Sequence, residues 1–439
     1  MREYTVIKNV RLLVGDGRPA YENGVFAIEN GDAVADDRIV YAGPAEGYKP
    51  VGGAGEDVFE MDLSGGEYTV LPGLINTHVH LDLDLPYLPY YADKWGAAYR
   101  TLVMFRRAAE ALLCGVTTVR GVGVEGACET ALKKAIGEDM LSGPRIITCA
   151  SPLAPVAGHG ATDPGTRVCS GADEFVRGVR EQIALGADQI KLLYTGGLAG
   201  AYEGLYDIQM TEEELSAAID AAHRNGRPVT AHLSNDRAIR LSVELGIDGV
   251  EHGYTISAET AQLMAARGTY YTPTLCVSHC DDYLKRLGVP EYTLKKQAAA
   301  AAEHIASCRR AAEAGVTVCT GTDLLPSDEI DGAKATVREC ELLVEDAGLS
   351  PLEAIRAATL NGARLCGVDA VTGTLEAGKC GDFIIVAGRP DERIRDLRAL
   401  RLVSKGCRLV WCDLPCLKKS NFSVTQPGVP CDGGVFQKW

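Results

Sequence analysis

Two histidines stand two positions apart in PGLINTHVHLD, at the end of an apolar run that reads as a strand. Residues i and i+2 of a strand project from one face, so His78 and His80 can aim both imidazoles at a single ion. Such a pair also occurs as hydrogen-bonded packing, and alone it decides nothing. Four more residues of ligating type close other apolar runs: Lys191 in QIKLLYTGG, His232 in VTAHL, His252 in VEHG and Asp323 in TGTD. Ionisable groups in that position are costly to bury unless paired or metal-bound. A lysine ammonium has no lone pair, so Lys191 ligates only as a neutral amine or as a carbamate, an anionic bridge with two oxygens; paired with an acid it would ligate nothing. Two metals about 3.5 to 4 Å apart lower the pKa of a shared water and polarise a carbonyl. Asp323 beside that water would take its proton and pass it to a leaving group, the alternative being an ordinary helix N-cap.

The elements that must position these residues alternate. Strand-like runs such as VTTVRGVG, RIITCA, YYTPTL and VTVCTGTD are separated by helical patterns such as AYRTLVMFRRAAEALLCG and EFVRGVREQIALG. In TEEELSAAIDAAHRNG, Thr211 and Glu214 stand at capping-box spacing and Gly226 is placed to close the helix. Eight strand-helix units predict an α/β fold, a (β/α)8 TIM barrel over residues 67–369, whose active site lies where the strands end. Short strands broken by turn residues fill residues 1–66 and return at 370–415, which predicts a β-sandwich domain built from both chain ends. Residues 416–439 form a polar C-terminal tail rich in turn formers.

Other candidates are less constrained. His159, in the loop SPLAPVAGHGATDPG after the third strand, can polarise a substrate carbonyl or hold the substrate, or simply bond backbone. Tyr254, two residues past His252, can offer a hydroxyl to a substrate carboxylate or can pack. His223 and His304 fall on helices and take no role, while His279 reaches the right end without a partner. Arg106, Arg107 and the run Glu212 to Glu214 read as solvated helix faces. TGGLAG at 195–200 lacks both the P-loop and the Rossmann spacing, so phosphate binding is unsupported.

Composition narrows the setting. A net charge of −15 and no basic stripe argue against nucleic acid. No apolar run nears the roughly 18 residues that span a bilayer, and the first residues lack a charged leader with an apolar core. The 15 cysteines have no scaffold spacing and read as buried thiols, so a cytoplasmic protein is expected.

Over about residues 1–412 the chain resembles the amidohydrolase superfamily, on PGLINTHVHLD, IKLLYTGG, TAHL, VEHG and TGTD and on the trailing NGARLCGV and GTLEAGKCGDFIIV. The resemblance implies that His78 and His80 bind the more buried of two divalent metals and His232 and His252 the more exposed one. It implies further that a Lys191 carbamate bridges them and that Asp323 binds the first metal and serves as general base. Such ligands suit zinc and also admit manganese, iron or cobalt. IKLLYTGG with Gly158-His159-Gly160 is most similar to the Xaa-Pro and Xaa-Arg dipeptidase branch, which includes ochratoxinase-like enzymes. The expected activity is hydrolysis of the amide bond of a dipeptide or N-acyl amino acid, a small-molecule substrate, by a metal-activated water in a homo-oligomer. The alternative is a cyclic amide hydrolase resembling imidazolonepropionase, which typically uses one metal and lacks the bridging lysine; Lys191 discriminates against it.

Overall fold

Residues 3–31, 37–53, 56–83, 85 and 92–414 are described by a computed structural model, and the tail from 416 lies outside them. The chain divides into two units, one from the described residues of Met1–Gly73 and Ala370–Trp439, the other Leu74–Asp369.

The runs EYTVIKNVRL and YENGVFAIEN form strands buried on both faces: Ile7, Phe26 and Ile28 enter one core cluster, and Val6, Val25 and Ala27 enter another. Eight strands form one mixed sheet, in the order Arg408–Cys412, Leu400–Lys405, Phe383–Ala387, Tyr68–Pro72, Glu3–Leu12, Tyr21–Asn30 and Arg38–Pro44. The eighth, Asp57–Asp62, branches off: Glu3 to Lys8 pair with it in parallel, while Arg11 and Leu12 pair with Thr69 and Val70. The hydrogen-bonded ladder of this mixed sheet therefore forks at Glu3–Leu12. Tyr68–Pro72 belongs to this sheet too, antiparallel to Phe383–Ala387, although the sequence assigns it to the barrel. Its residues are nearly all buried, so composition does not distinguish it from a barrel strand. Side chains from both chain ends share one core, with Phe26 edge-on to Phe383 at 4.8 Å between ring centroids.

The second unit alternates strands and helices, and its main ladders are parallel. Three strands, Leu74–Val79, Val116–Gly121 and Arg145–Thr148, form one sheet. Seven form another, in the order Arg167–Cys169, Leu153–Pro155, Ile190–Leu193, Val229–Leu233, Gly249–His252, Tyr270–Thr272 and Thr317–Val318. Backbone bonds link the two sheets at two places: Thr77 N–H to the Thr320 carbonyl at 2.8 Å, just past the Thr317–Val318 edge, and Asp188 N–H, just before Ile190–Leu193, to the Thr148 carbonyl at 2.8 Å. The helix Glu212–His223 opens on the capping box of Thr211 and Glu214. Beyond its end Gly226 takes a left-handed φ of 65°, the turn a glycine makes without strain. No helix among the described residues is long and apolar enough to cross a membrane.

Candidate metal centre

The first candidate pair, His78 and His80, sits at the end of Leu74–Val79, and the TGTD turn is fastened beside it. The backbone N–H of Asp323 donates to the His78 carbonyl at 2.9 Å, and Asn76 Nδ2 donates to Thr322 Oγ1 at 2.9 Å. Gly321 permits this approach, because a Cβ there would come 2.6 Å from the His78 Cβ. Asp323 Oδ1 then lies 3.3 Å from His78 Nε2 and 3.1 Å from His80 Nε2. Among the described residues these three form the one group whose ligand atoms all lie within 4.8 Å of each other. Asp323 and His252 both hold left-handed backbones, with φ of 54° and 67°. Non-glycine residues there typically cost about 1 to 3 kcal/mol, a strain that concentrates at functional sites.

The imidazoles are aimed by what they bond outward. His78 Nδ1 donates to Glu251 Oε2 at 2.7 Å, His80 Nδ1 to the Gly123 carbonyl at 2.5 Å, and His252 Nδ1 to Thr274 Oγ1 at 2.7 Å. With Nδ1 so engaged, Nε2 is the nitrogen left to ligate, the pattern by which metal-binding histidines are fixed. Glu251 is fully buried; Arg120 Nη2 reaches its Oε1 at 2.5 Å, and the Thr230 hydroxyl donates to the same oxygen. Burial alone would raise this carboxyl, yet Arg120 and then His78 hold it well below the ordinary carboxylate range. The donor set therefore fits a divalent ion of the kind that takes imidazole and carboxylate together. Glu251→Gln is expected to weaken metal binding about 10- to 100-fold. It should also cost about 3 to 5 kcal/mol of stability by leaving Arg120 buried without its anion. Chelator competition and urea denaturation read the two effects separately.

The remaining ligand candidates line the neighbouring strands. In register, Lys191 pairs with Thr230, His232 with Glu251 and Leu233 with His252. The rings of His252 and His78 lie 4.8 Å apart and those of His232 and His252 4.4 Å, centroid to centroid. Burial first, and then neighbouring imidazoles, lower both His232 and His252 well below the ordinary histidine value, so both are the neutral bases a metal needs. His232 Nε2 donates to the Gly196 carbonyl at 3.0 Å, and His232 lies outside the three-residue group. Lys191 is 1% exposed and makes no ion pair among the described residues. Burial pushes its ammonium below the ordinary lysine value, against the pull of Glu251 and Asp323.

His159 reaches the site: its ring stacks on His232 at 4.4 Å between centroids. Tyr254 is buried with its ring nearly parallel to that of His252, at 9° and 5.9 Å. Several residues that shape the site carry no motif. Glu251 and Arg120 are charged residues inside apolar strands, and that oddity in VEHG and VTTVRG is their only sequence signal. His304, read as an ordinary helix residue, is fully buried; its Nε2 donates to the His252 carbonyl at 2.9 Å and its Nδ1 accepts from Ser278 Oγ at 2.7 Å. His279, for which the sequence names no partner, bonds Ser278 Oγ at 2.7 Å. Arg107 is not solvated either: it is buried and donates to the Leu81 carbonyl at 3.0 Å, whereas Arg106 is exposed.

Comparison with known proteins adds an independent finding. The family model described as Amidohydrolase family matches residues 69–430. An ochratoxinase of Aspergillus niger is 29% identical over 92% of this chain and 86% of its own length. A solved Xaa-Pro dipeptidase with methionine bound in its active site superposes with a TM-score of 0.80 at 27% identity, covering 92% of this chain and 99% of that one. The crystal structure of A. niger ochratoxinase gives 0.78 at 27% identity, covering 93% of this chain and 95% of its own.

Proposed function

The chain belongs to the amidohydrolase family, hydrolases of C–N bonds with a TIM-barrel-type α/β fold, and we propose that it cleaves the amide bond of a dipeptide or N-acyl amino acid. The observation that carries this reading is the convergence of His78, His80 and Asp323 within 4.8 Å where parallel strands end. The Xaa-Pro dipeptidase and ochratoxinase similarities support the substrate class. On this reading the two parallel sheets are one closed (β/α)8 barrel, supported by the Thr77–Thr320 and Thr148–Asp188 backbone bonds between the sheets.

His78, His80 and Asp323 would hold one divalent ion, His232 and His252 a second, with Lys191 as a carbamate between them. Divalent metals bound there would polarise the scissile carbonyl and make the attacking water more acidic. Carbamate formation joins a neutral amine to carbon dioxide and releases a proton, and the burial that disfavours the Lys191 ammonium supplies that neutral amine. Asp323 would accept the water's proton and hand it to the leaving nitrogen. Burial opposes its ionisation, but the neighbouring His78 and His80 hold it well below the ordinary carboxylate range, so it stands ionised beside them. His159 would hold or polarise the substrate, and the Tyr254 hydroxyl would meet its carboxylate.

The test is a panel of dipeptides and N-acyl amino acids given to metal-loaded protein, with metal counted per chain. About two metals and turnover of the panel are expected; one metal would instead favour the cyclic amide alternative. Amidating the substrate carboxylate is expected to lower kcat/KM at least about tenfold, or about 1.4 kcal/mol of transition-state binding. Equal turnover of free and amidated substrates would remove the dipeptidase-like assignment.

A further inference from the structure

The glycine-rich stretch at 195–200 fits no phosphate-binding pattern, and the structure gives it a different use. His159 lies in a slot whose walls are the His232 ring and the Gly197 backbone. A Cβ on Gly197 would come 2.2 Å from Cε1 and 2.5 Å from Nε2 of the imidazole, so only glycine admits the ring. The edge of the ring is held as well. Nδ1 lies 2.6 Å from Glu203 Oε1, and Glu203 Oε2 accepts from Gln209 Nε2 at 2.7 Å. Gln209 Oε1 in turn accepts the His159 backbone N–H at 2.8 Å, closing a ring of contacts around the imidazole. Gly200 is bare for the same reason as Gly197, since a Cβ there would lie 2.0 Å from Glu203 Oε1. Lys296, from the helix Glu291–Glu313, fastens this loop by donating to the Gly197 carbonyl at 2.9 Å and the Gly200 carbonyl at 2.6 Å.

A carboxylate accepts hydrogen bonds and cannot donate them, so the contact with Glu203 puts a proton on Nδ1 and leaves Nε2 as the nitrogen free of that contact. We propose that Glu203 is a positioning residue for His159, fixing through the 196–204 loop the tautomer and ring orientation in which Nε2 serves the substrate. This rests on the reading of the adjoining centre as that of an amide hydrolase. Glu203 itself touches no reacting atom; it acts through the imidazole, as carboxylates behind functional histidines do.

The test uses the full chain, metal-loaded and labelled with nitrogen-15 at histidine, with the His159 signal assigned by its loss in His159→Gln. The parent should show His159 protonated at Nδ1, and Glu203→Gln should shift that resonance. On the best substrate of the panel, Glu203→Gln should lower kcat about 10- to 100-fold with KM within about threefold and metal content unchanged. Glu203→Asp should recover part of the loss, and Glu203→Gln should have no further effect in a His159→Gln background. A parent His159 carrying its proton on Nε2 alone, parental kcat in Glu203→Gln, or additive losses in the double variant would each overturn the proposal. If no amide is turned over, the hydrolase reading falls, while the tautomer measurement still decides whether Glu203 holds the ring. The parent spectrum decides this even if a Glu203 variant fails to fold.

Discussion

Asp323→Asn is expected to keep its fold and most of its metal while losing about 10²- to 10⁴-fold in kcat, the range that a positioned acid or base contributes. Three properties of the position make the variant informative. Asparagine retains one oxygen that can ligate, so the geometry around His78 and His80 is not dismantled. It also tolerates the left-handed backbone that Asp323 adopts, so the φ of 54° adds little cost. What it lacks is the capacity to take a proton. Steady-state turnover, metal content and thermal midpoint measured on one preparation separate these effects. Activity within a few fold of the parent would leave Asp323 as a ligand only and place the base elsewhere.

Lys191→Ala is expected to lose the second metal, or bind it weakly, and to lose at least about a hundredfold in turnover. Without a bridging anion two cations face each other in a poorly hydrated site, where their repulsion is weakly screened. Lys191 is buried, so truncation leaves room beside the ligands rather than an opening to bulk water. A carbamate is a carboxylate held at a fixed place, so acetate or propionate supplied with metal should enter that room and restore part of the activity. Lys191→Glu, with its own carboxylate on a shorter arm, should keep some metal and position it less well. Elemental analysis and kinetics across these variants, and on protein prepared without bicarbonate, check the bridge. Two metals per chain and near-parental turnover in Lys191→Ala would refute it.

The grouping of His78, His80 and Asp323 was legible because its information is local. A two-residue spacing puts His78 and His80 on one strand face, and TGTD marks a turn ending on a carboxylate. The capping box at Thr211 and Glu214 was legible for the same reason. The groups that orient these side chains were not, because they are chosen by strand register. Glu251 meets His78 across 173 positions and Arg120 across 131, distances over which no spacing rule operates. Helical periodicity likewise could not separate Arg106 from Arg107, since adjacent residues point 100° apart and the burying surface, the 81–82 turn, belongs to another element. His304 was missed because a histidine in an alanine-rich helix looks solvated until its carbonyl partner, His252, is placed beside it.

The forked sheet shared by both chain ends bears on how the protein is made. Thr69 bonds the Gly388 carbonyl across 319 positions, and Tyr68–Pro72 finds its antiparallel neighbour only in Phe383–Ala387. At ribosomal rates of about 5 to 20 residues per second, the N-terminal strands wait roughly 15 to 60 s for the segment that completes them. During that interval one edge of Tyr68–Pro72 has no partner, and Phe26 and Val70 lack the cover that Phe383 and Ile385 later supply. The second unit, whose ladders join segments close in sequence, can form meanwhile. Nascent chains arrested before residue 383 should therefore hold the second unit folded while the first segment remains bound by chaperones, and release from them should coincide with emergence of the last strands.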